Sequence, residues 1–154
     1  MSLIKTDGVF GTTCPADTHE NTVRGTITAA KVKTLNATLV ELVPAPGTGF
    51  YLKPTRIHYM LDFASAAYDG AAAGEDLATK YTDTSGAKVC ADVDHDGFGN
   101  AAADAHAFPD IVTSVTPVEN AALVAEILSG EWYAAAGDSP IVYEIDYQIL
   151  PYTW

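Results

Sequence analysis

The chain has 154 residues, 48% of them hydrophobic and 18% charged, and its 20 Asp and Glu against 8 Lys and Arg give a formal net charge of −12 at pH 7. A surface so negative repels phosphate backbones and anionic lipid, which argues against nucleic-acid and membrane-surface partners, and no apolar run reaches the ~18 residues that span a bilayer. The length suits one domain with its own core. The charged fraction lies below the about 25% of ordinary soluble domains; surface covered by a partner would explain this, and so would the richness in Ala, Thr and Gly.

Residues 1–20 are mixed in character and end in Thr12-Thr13-Cys14-Pro15-Ala16-Asp17-Thr18-His19-Glu20, which reads as an extended arm. The start lacks a basic region followed by an apolar core, so no signal peptide is expected and synthesis is placed in the cytoplasm. The two cysteines, Cys14 and Cys90, have no CxxC companion. They are read as reduced thiols, not as a zinc site or a disulfide framework; a Cys14–Cys90 bridge would need the N-terminal segment to pack beside the central loop.

From residue 21 onward the pattern is one of strands. Residues 22–33 alternate imperfectly, and 38–43 alternate up to Pro44-Ala45-Pro46-Gly47, a stiff corner that stops the strand. In 55–64, Ile57, Tyr59, Leu61 and Phe63 share one face and Arg56, His58, Met60 and Asp62 the other. Residues 76–82 and 87–91 flank Asp83-Thr84-Ser85-Gly86, a hairpin signal. An Ala-rich stretch from Asn100 to His106 predicts the one short helix, and 110–116 a further strand ending at Pro117. Residues 119–129 fit a helix or a strand. The run 141–149, with Ile141, Tyr143, Ile145, Tyr147 and Ile149 on one face, is the strongest strand and needs an antiparallel neighbour, so 121–128 is assigned as strand. About eight short strands predict an all-β fold: an antiparallel β-sandwich of jelly-roll type over residues 21–154.

Three features carry candidate chemistry. Asp92-Val93-Asp94-His95-Asp96-Gly97 opens like a calcium loop, with Asp92, Asp94, Asp96 and Asn100 as candidate ligands. The bidentate Glu of such a loop is missing, because position 103 is Ala, and the flanks are not two long helices; a solvated turn explains the same residues. The four histidines, His19, His58, His95 and His106, read as surface residues, although His95 and His106 would form a metal site if they converged. Trp132 and Tyr133 in a loop, and Tyr152 and Trp154 at the end of the chain, are candidate partner contacts or a cover for the open end of the sandwich. No Ser, Cys or paired-carboxylate constellation meets the requirements of catalysis, so no enzyme is expected.

Leu35 to Gly49, LNATLVELVPAPGTG, resembles a segment of a family of small virion proteins of tailed phages. Further matches are Gly74-Glu75-Asp76-Leu77 with Lys80-Tyr81, Gly97-Phe98, and Glu119-Asn120-Ala121-Ala122-Leu123, together spanning most of residues 24–150. The chain departs from the pattern at Leu39 and Glu41, where Pro and Thr are usual. The resemblance implies a head-decoration or cement protein in the virion. Its partners would be the major capsid protein or other virion subunits, and it would form a homo-oligomer, a trimer first. Thr12, Thr13, Pro15 and His19 of the arm, with Trp132, Tyr133, Tyr152 and Trp154, are then the expected contacts, and no cofactor is expected unless calcium binds. The alternative reading is a receptor- or glycan-binding module of a tail or fibre.

Overall fold

A computed structural model describes residues 17–68, 75–83, 85–128 and 137–153. Among these described residues, seven strands and one short helix run in the order β1 (Asp17–Ile27), α1 (Ala29–Val32), β2 (Val40–Val43), β3 (Phe50–Leu61), β4 (Leu77–Tyr81), β5 (Ala105–Ala107), β6 (Leu123–Ile127) and β7 (Ile141–Pro151). They form two antiparallel sheets, one ordered β1-β7-β3-β5 and the other β2-β6-β4. The chain is therefore an all-β sandwich. Each successive strand joins the opposite sheet, so every ladder pairs segments distant in sequence.

Burial explains the strands. In β7, Ile141, Tyr143 and Ile145 are buried while Val142, Glu144 and Asp146 are not, the alternation expected of a strand with one face on the core. Strand β3 is longer than its cleanest periodicity. Leu52 and Pro54 face inward, then the register slips between Pro54 and Arg56, and Ile57, Tyr59 and Leu61 face inward in the opposite phase. The extra residue of the bulge lets both halves of one strand cover one core. Pro54 is tolerated because β5 borders β3 only at Tyr59–Leu61, leaving that side of Pro54 without a ladder partner. Strands β4 and β6 are buried at every position, which is why β6 shows no clean polar face.

Tyrosine hydroxyls tie the sheets together. Tyr59 Oη and Thr79 Oγ1 lie 2.7 Å apart across the sandwich, and the Tyr81 hydroxyl donates to the carbonyl of Leu52 at 2.5 Å. Burial pushes the Tyr81 phenol up to about 12, so it stays a donor at neutral pH. Tyr143 on β7 fills the space left by Gly25 on β1, where a Cβ would lie 2.3 Å from its hydroxyl.

Several expected elements are corrected. β1 starts at Asp17, so residues 17–20 of the expected arm belong to a strand, and Ala29–Val32 form a helical turn instead of continuing it. The helix expected over Asn100–His106 is absent. Its C-terminal part is edge strand β5, because pairing with β3 outweighs the weak helical preference of an Ala-rich stretch. A single irregular turn, His95–Gly99, precedes it. Residues 87–91 and 110–116 contribute only isolated bridges, Lys88 to Lys80 and Cys90 to Ile111. Residues 121–128 do hold a strand, but β6 pairs with β2 and β4, whereas β7 pairs with β1 and β3. Among the described residues no helix is long and apolar enough to cross a membrane.

Candidate functional site

One end of the sandwich is a corner built from two of the resembling motifs. The proline-rich turn after β2 leaves Gly47 and Gly49 at φ of 102° and 85°, a region open to glycine. Their amides are then free to point at the segment before β6. Asn120 Oδ1 accepts from Gly47 N at 2.9 Å, and Glu119 Oε1 accepts from Gly49 N at 2.6 Å. Asn120 N donates to the carbonyl of Phe50 at 2.8 Å, and Asn120 itself sits at φ 51°, which its short polar side chain tolerates. The end of β7 closes the corner, as Tyr152 N donates to Gly49 O at 2.8 Å and its ring meets Tyr51 edge-on at 6.3 Å. An open groove beside it is lined by Thr113, Ser114, Val115, Thr116, Pro117 and Tyr152. Tyr152, a candidate contact, is thereby held half-buried at a groove.

The outward face of the four-stranded sheet is the second surface. The ladder puts Arg24, Glu144 and His58 in one row, with Thr22, Asp146 and Arg56 in the next. Glu144 is paired with both Arg24 and Arg56, and Asp146 accepts from Arg56 Nε at 2.7 Å and from Thr22 Oγ1 at 2.6 Å. The Arg56 hydrogen bond, and then that of Arg24, hold the Glu144 carboxyl below its usual range. Glu144 and Asp146 are thus neutralised within this face, on a protein that is otherwise strongly acidic. Beside them His58 Nε2 lies 3.0 Å from His106 Nδ1, and Phe108 stacks on His58 with ring centroids 4.2 Å apart and planes 4° apart. Phe108 is 62% exposed.

The aspartate loop is used locally. Asp92 is ion-paired with Lys88, Asp94 accepts from Asp96 N at 2.9 Å, and Asp96 accepts from Asn100 Nδ2 at 3.1 Å. Asn100 Oδ1 accepts from Gly97 N at 2.8 Å, closing the turn. Among the described residues no group of three or more His, Cys, Asp or Glu is arranged to hold a metal ion, so Asp92, Asp94 and Asp96 are not brought together as a ligand set. His95 is buried in the turn, and His106 meets His58 in its place.

His19 is exposed on β1. Thr12, Thr13, Pro15, Trp132, Tyr133 and Trp154, together with Cys14, lie outside the described residues. Cys90 is buried, and burial pushes its thiol up, the opposite of what a nucleophile requires. The His58–His106–Phe108 cluster is the feature that sequence reading missed. Its signal was the spacing His106-x-Phe108, which puts both side chains on one side of an extended chain, Phe108 directly following β5.

No family model matches the chain, and no curated protein matches it in sequence. Among solved structures the fold is similar to that of a chain in the capsid of Ralstonia phage GP4, with a TM-score of 0.54 and 13% identity over 92% of this chain and 90% of that one. At that identity the likeness is one of fold.

Proposed function

We propose that this chain is a structural protein of a tailed-phage virion that attaches to the capsid as a decoration or cement protein. The observation that carries the reading is the fold shared, over nearly the full length of both chains, with a phage capsid chain. The sequence resemblance points the same way, and two of its motifs meet physically at Gly47, Gly49, Glu119 and Asn120. Fold alone does not dictate function, so the sequence matches add the second line of support.

The mechanism is linkage. A ligand that binds the assembled shell in preference to free subunits stabilises the shell by mass action, and several weak contacts on one rigid body combine multiplicatively. The sandwich is the rigid body. The contacts are the residues before β1, the Trp132–Tyr133 segment and the Tyr152 corner. A trimer at local threefold positions would present three copies of each at once. A non-catalytic role agrees with a buried Cys90 and an outward face whose Glu144 and Asp146 are occupied by arginines.

Because β1 begins at Asp17, a truncation that spares the sheet removes residues 1–16. That variant should fold and bind purified shells more weakly than the full chain; unchanged binding would remove the arm from the mechanism. A second reading, glycan or receptor recognition, is favoured by one observation, the open aromatic face of Phe108 amid polar side chains. Binding to host cells or glycans without binding to shells would select it.

A further inference from the structure

His58 and His106 are more than neighbours on a surface. Their ring planes differ by 17° and the centroids are 5.2 Å apart. That spacing is the 3.0 Å N···N distance plus roughly a ring radius at each end, so the rings lie side by side with Nε2 of His58 facing Nδ1 of His106. In the neutral pair one nitrogen donates and the other accepts. The pair joins β3 to edge strand β5, which is held by only three residue pairs, Tyr59–Ala107, Met60–His106 and Leu61–Ala105.

We propose that His58 Nε2 and His106 Nδ1 form a site for one borderline transition-metal ion, Zn²⁺, Ni²⁺ or Cu²⁺, with water in the remaining positions, clipping β5 to β3. Imidazole nitrogens bind such ions at about 2.0–2.1 Å, and two donors on one ion are then about 2.9 Å apart at right angles and about 3.3 Å apart at the tetrahedral angle of Zn²⁺. The observed 3.0 Å lies within that span, and turning each imidazole in its own plane, so that the two nitrogens no longer face each other head-on, aims both lone pairs at one ion beside the N···N line. Phe108 lies flat on His58, which keeps the plane of that imidazole and leaves in-plane turning open. Desolvation first, then the neighbouring His106, lowers the pKa of His58, against a smaller raising effect of Glu144, so its metal-binding neutral form prevails at neutral pH. Arg56 on the same strand also lowers it. Glu144, opposite His58 on β7, is already engaged by Arg24 and Arg56, and the site therefore has two protein ligands. A hard cation with oxygen preference would pass it by.

The test is isothermal titration of the full chain with ZnCl₂ and NiCl₂ in excess CaCl₂ at pH 7.5, alongside His58→Gln, His106→Gln and a His19→Gln control. Circular dichroism and thermal melts in EDTA confirm that each variant folds. Loss of a supporting outer-shell group alone weakens metal sites about 10–100-fold, so losing either of two protein ligands should cost at least the lower figure. The expected result is one equivalent of metal bound, a metal-dependent rise in melting temperature, and loss of both in either His58→Gln or His106→Gln but not in His19→Gln. Acidification to pH 5 should weaken binding, because protons compete for the same nitrogens. Absence of binding at millimolar metal, or binding that survives His106→Gln, overturns the proposal; His106 is exposed, so that variant should fold.

Discussion

Glu119 Oε1 accepts a hydrogen bond from the amide of Gly49 at 2.6 Å, across a separation of 70 residues. Two short motifs that look unrelated in the sequence thereby form one corner of the sandwich. Gly49 and its neighbour Gly47 adopt backbone angles open to glycine, and the amides so exposed are met by the side chains of Glu119 and Asn120. Replacing Glu119 by Ala should lower stability by about 1 kcal/mol, the usual net worth of such a bond, and Asn120→Ala should cost more, because Ala also fits the φ of 51° less well. Because both act on one loop, the double variant should cost less than the sum. Urea denaturation of the three variants measures this.

The two kinds of glycine in the fold should fail differently. At Gly25 the backbone is unstrained, but an added Cβ would sit 2.3 Å from the Tyr143 hydroxyl. Gly25→Ala should therefore cost about 1–3 kcal/mol by overpacking, and Tyr143→Leu should relieve part of it. At Gly49 there is open space around a Cβ, yet φ is 85°. Gly49→Ala should cost roughly 1–2 kcal/mol by backbone strain alone, and no second-site truncation should rescue it.

Lys80 and Glu126 form an ion pair at 2.5 Å between β4 and β6, with side chains only 8% and 10% exposed. Glu126→Ala takes from the buried Lys80 ammonium the carboxylate it pairs with and should cost about 3–5 kcal/mol. The double change Lys80→Met with Glu126→Leu should be nearly neutral. Equal losses in single and double variants would contradict the pairing.

Acid sensitivity should centre on the Asp138 clasp. Asp138 accepts from the amides of Ser65 and Ala66 at 3.0 and 2.8 Å and from Ser65 Oγ at 2.5 Å. These bonds, that of Ser65 Oγ foremost, hold its carboxyl down to about 2. A carboxyl depressed in the folded state stabilises fully above its unfolded pKa, and that stability is lost as pH falls toward the folded value. Stability should therefore decline between about pH 4 and pH 2. Asp138→Asn should be less stable at pH 7 and should show a flatter profile across that window.

Legibility from sequence followed the period of each strand. Strand β7 was plain because Ile141, Tyr143 and Ile145 keep one phase against one core. Strand β3 was half hidden because its bulge at Pro54–Arg56 reverses the phase, so only the part after the bulge reads cleanly. Strand β6 is buried on both faces, where a helix and a strand leave the same apolar run, and its true neighbours β2 and β4 lie far away in sequence. Strand β5 is three residues long and Ala-rich, too short for any periodicity to compete with helix propensity. Missing it also concealed the His58–His106–Phe108 cluster. The Asp92–Asn100 loop shows the converse: its spacing suits a cation, while one oxygen each of Asp92, Asp94 and Asp96 is engaged by Lys88, by the Asp96 amide and by Asn100.

The central claim is attachment to an assembled shell. The most direct measurement is a cryo-EM reconstruction of the heads of particles that carry this chain. Density for a two-sheet sandwich is expected at symmetry-related positions on the outer surface of the capsid, in fixed ratio to the major capsid protein. Heads without that density, with the chain found only at the tail or missing from purified particles, would contradict it.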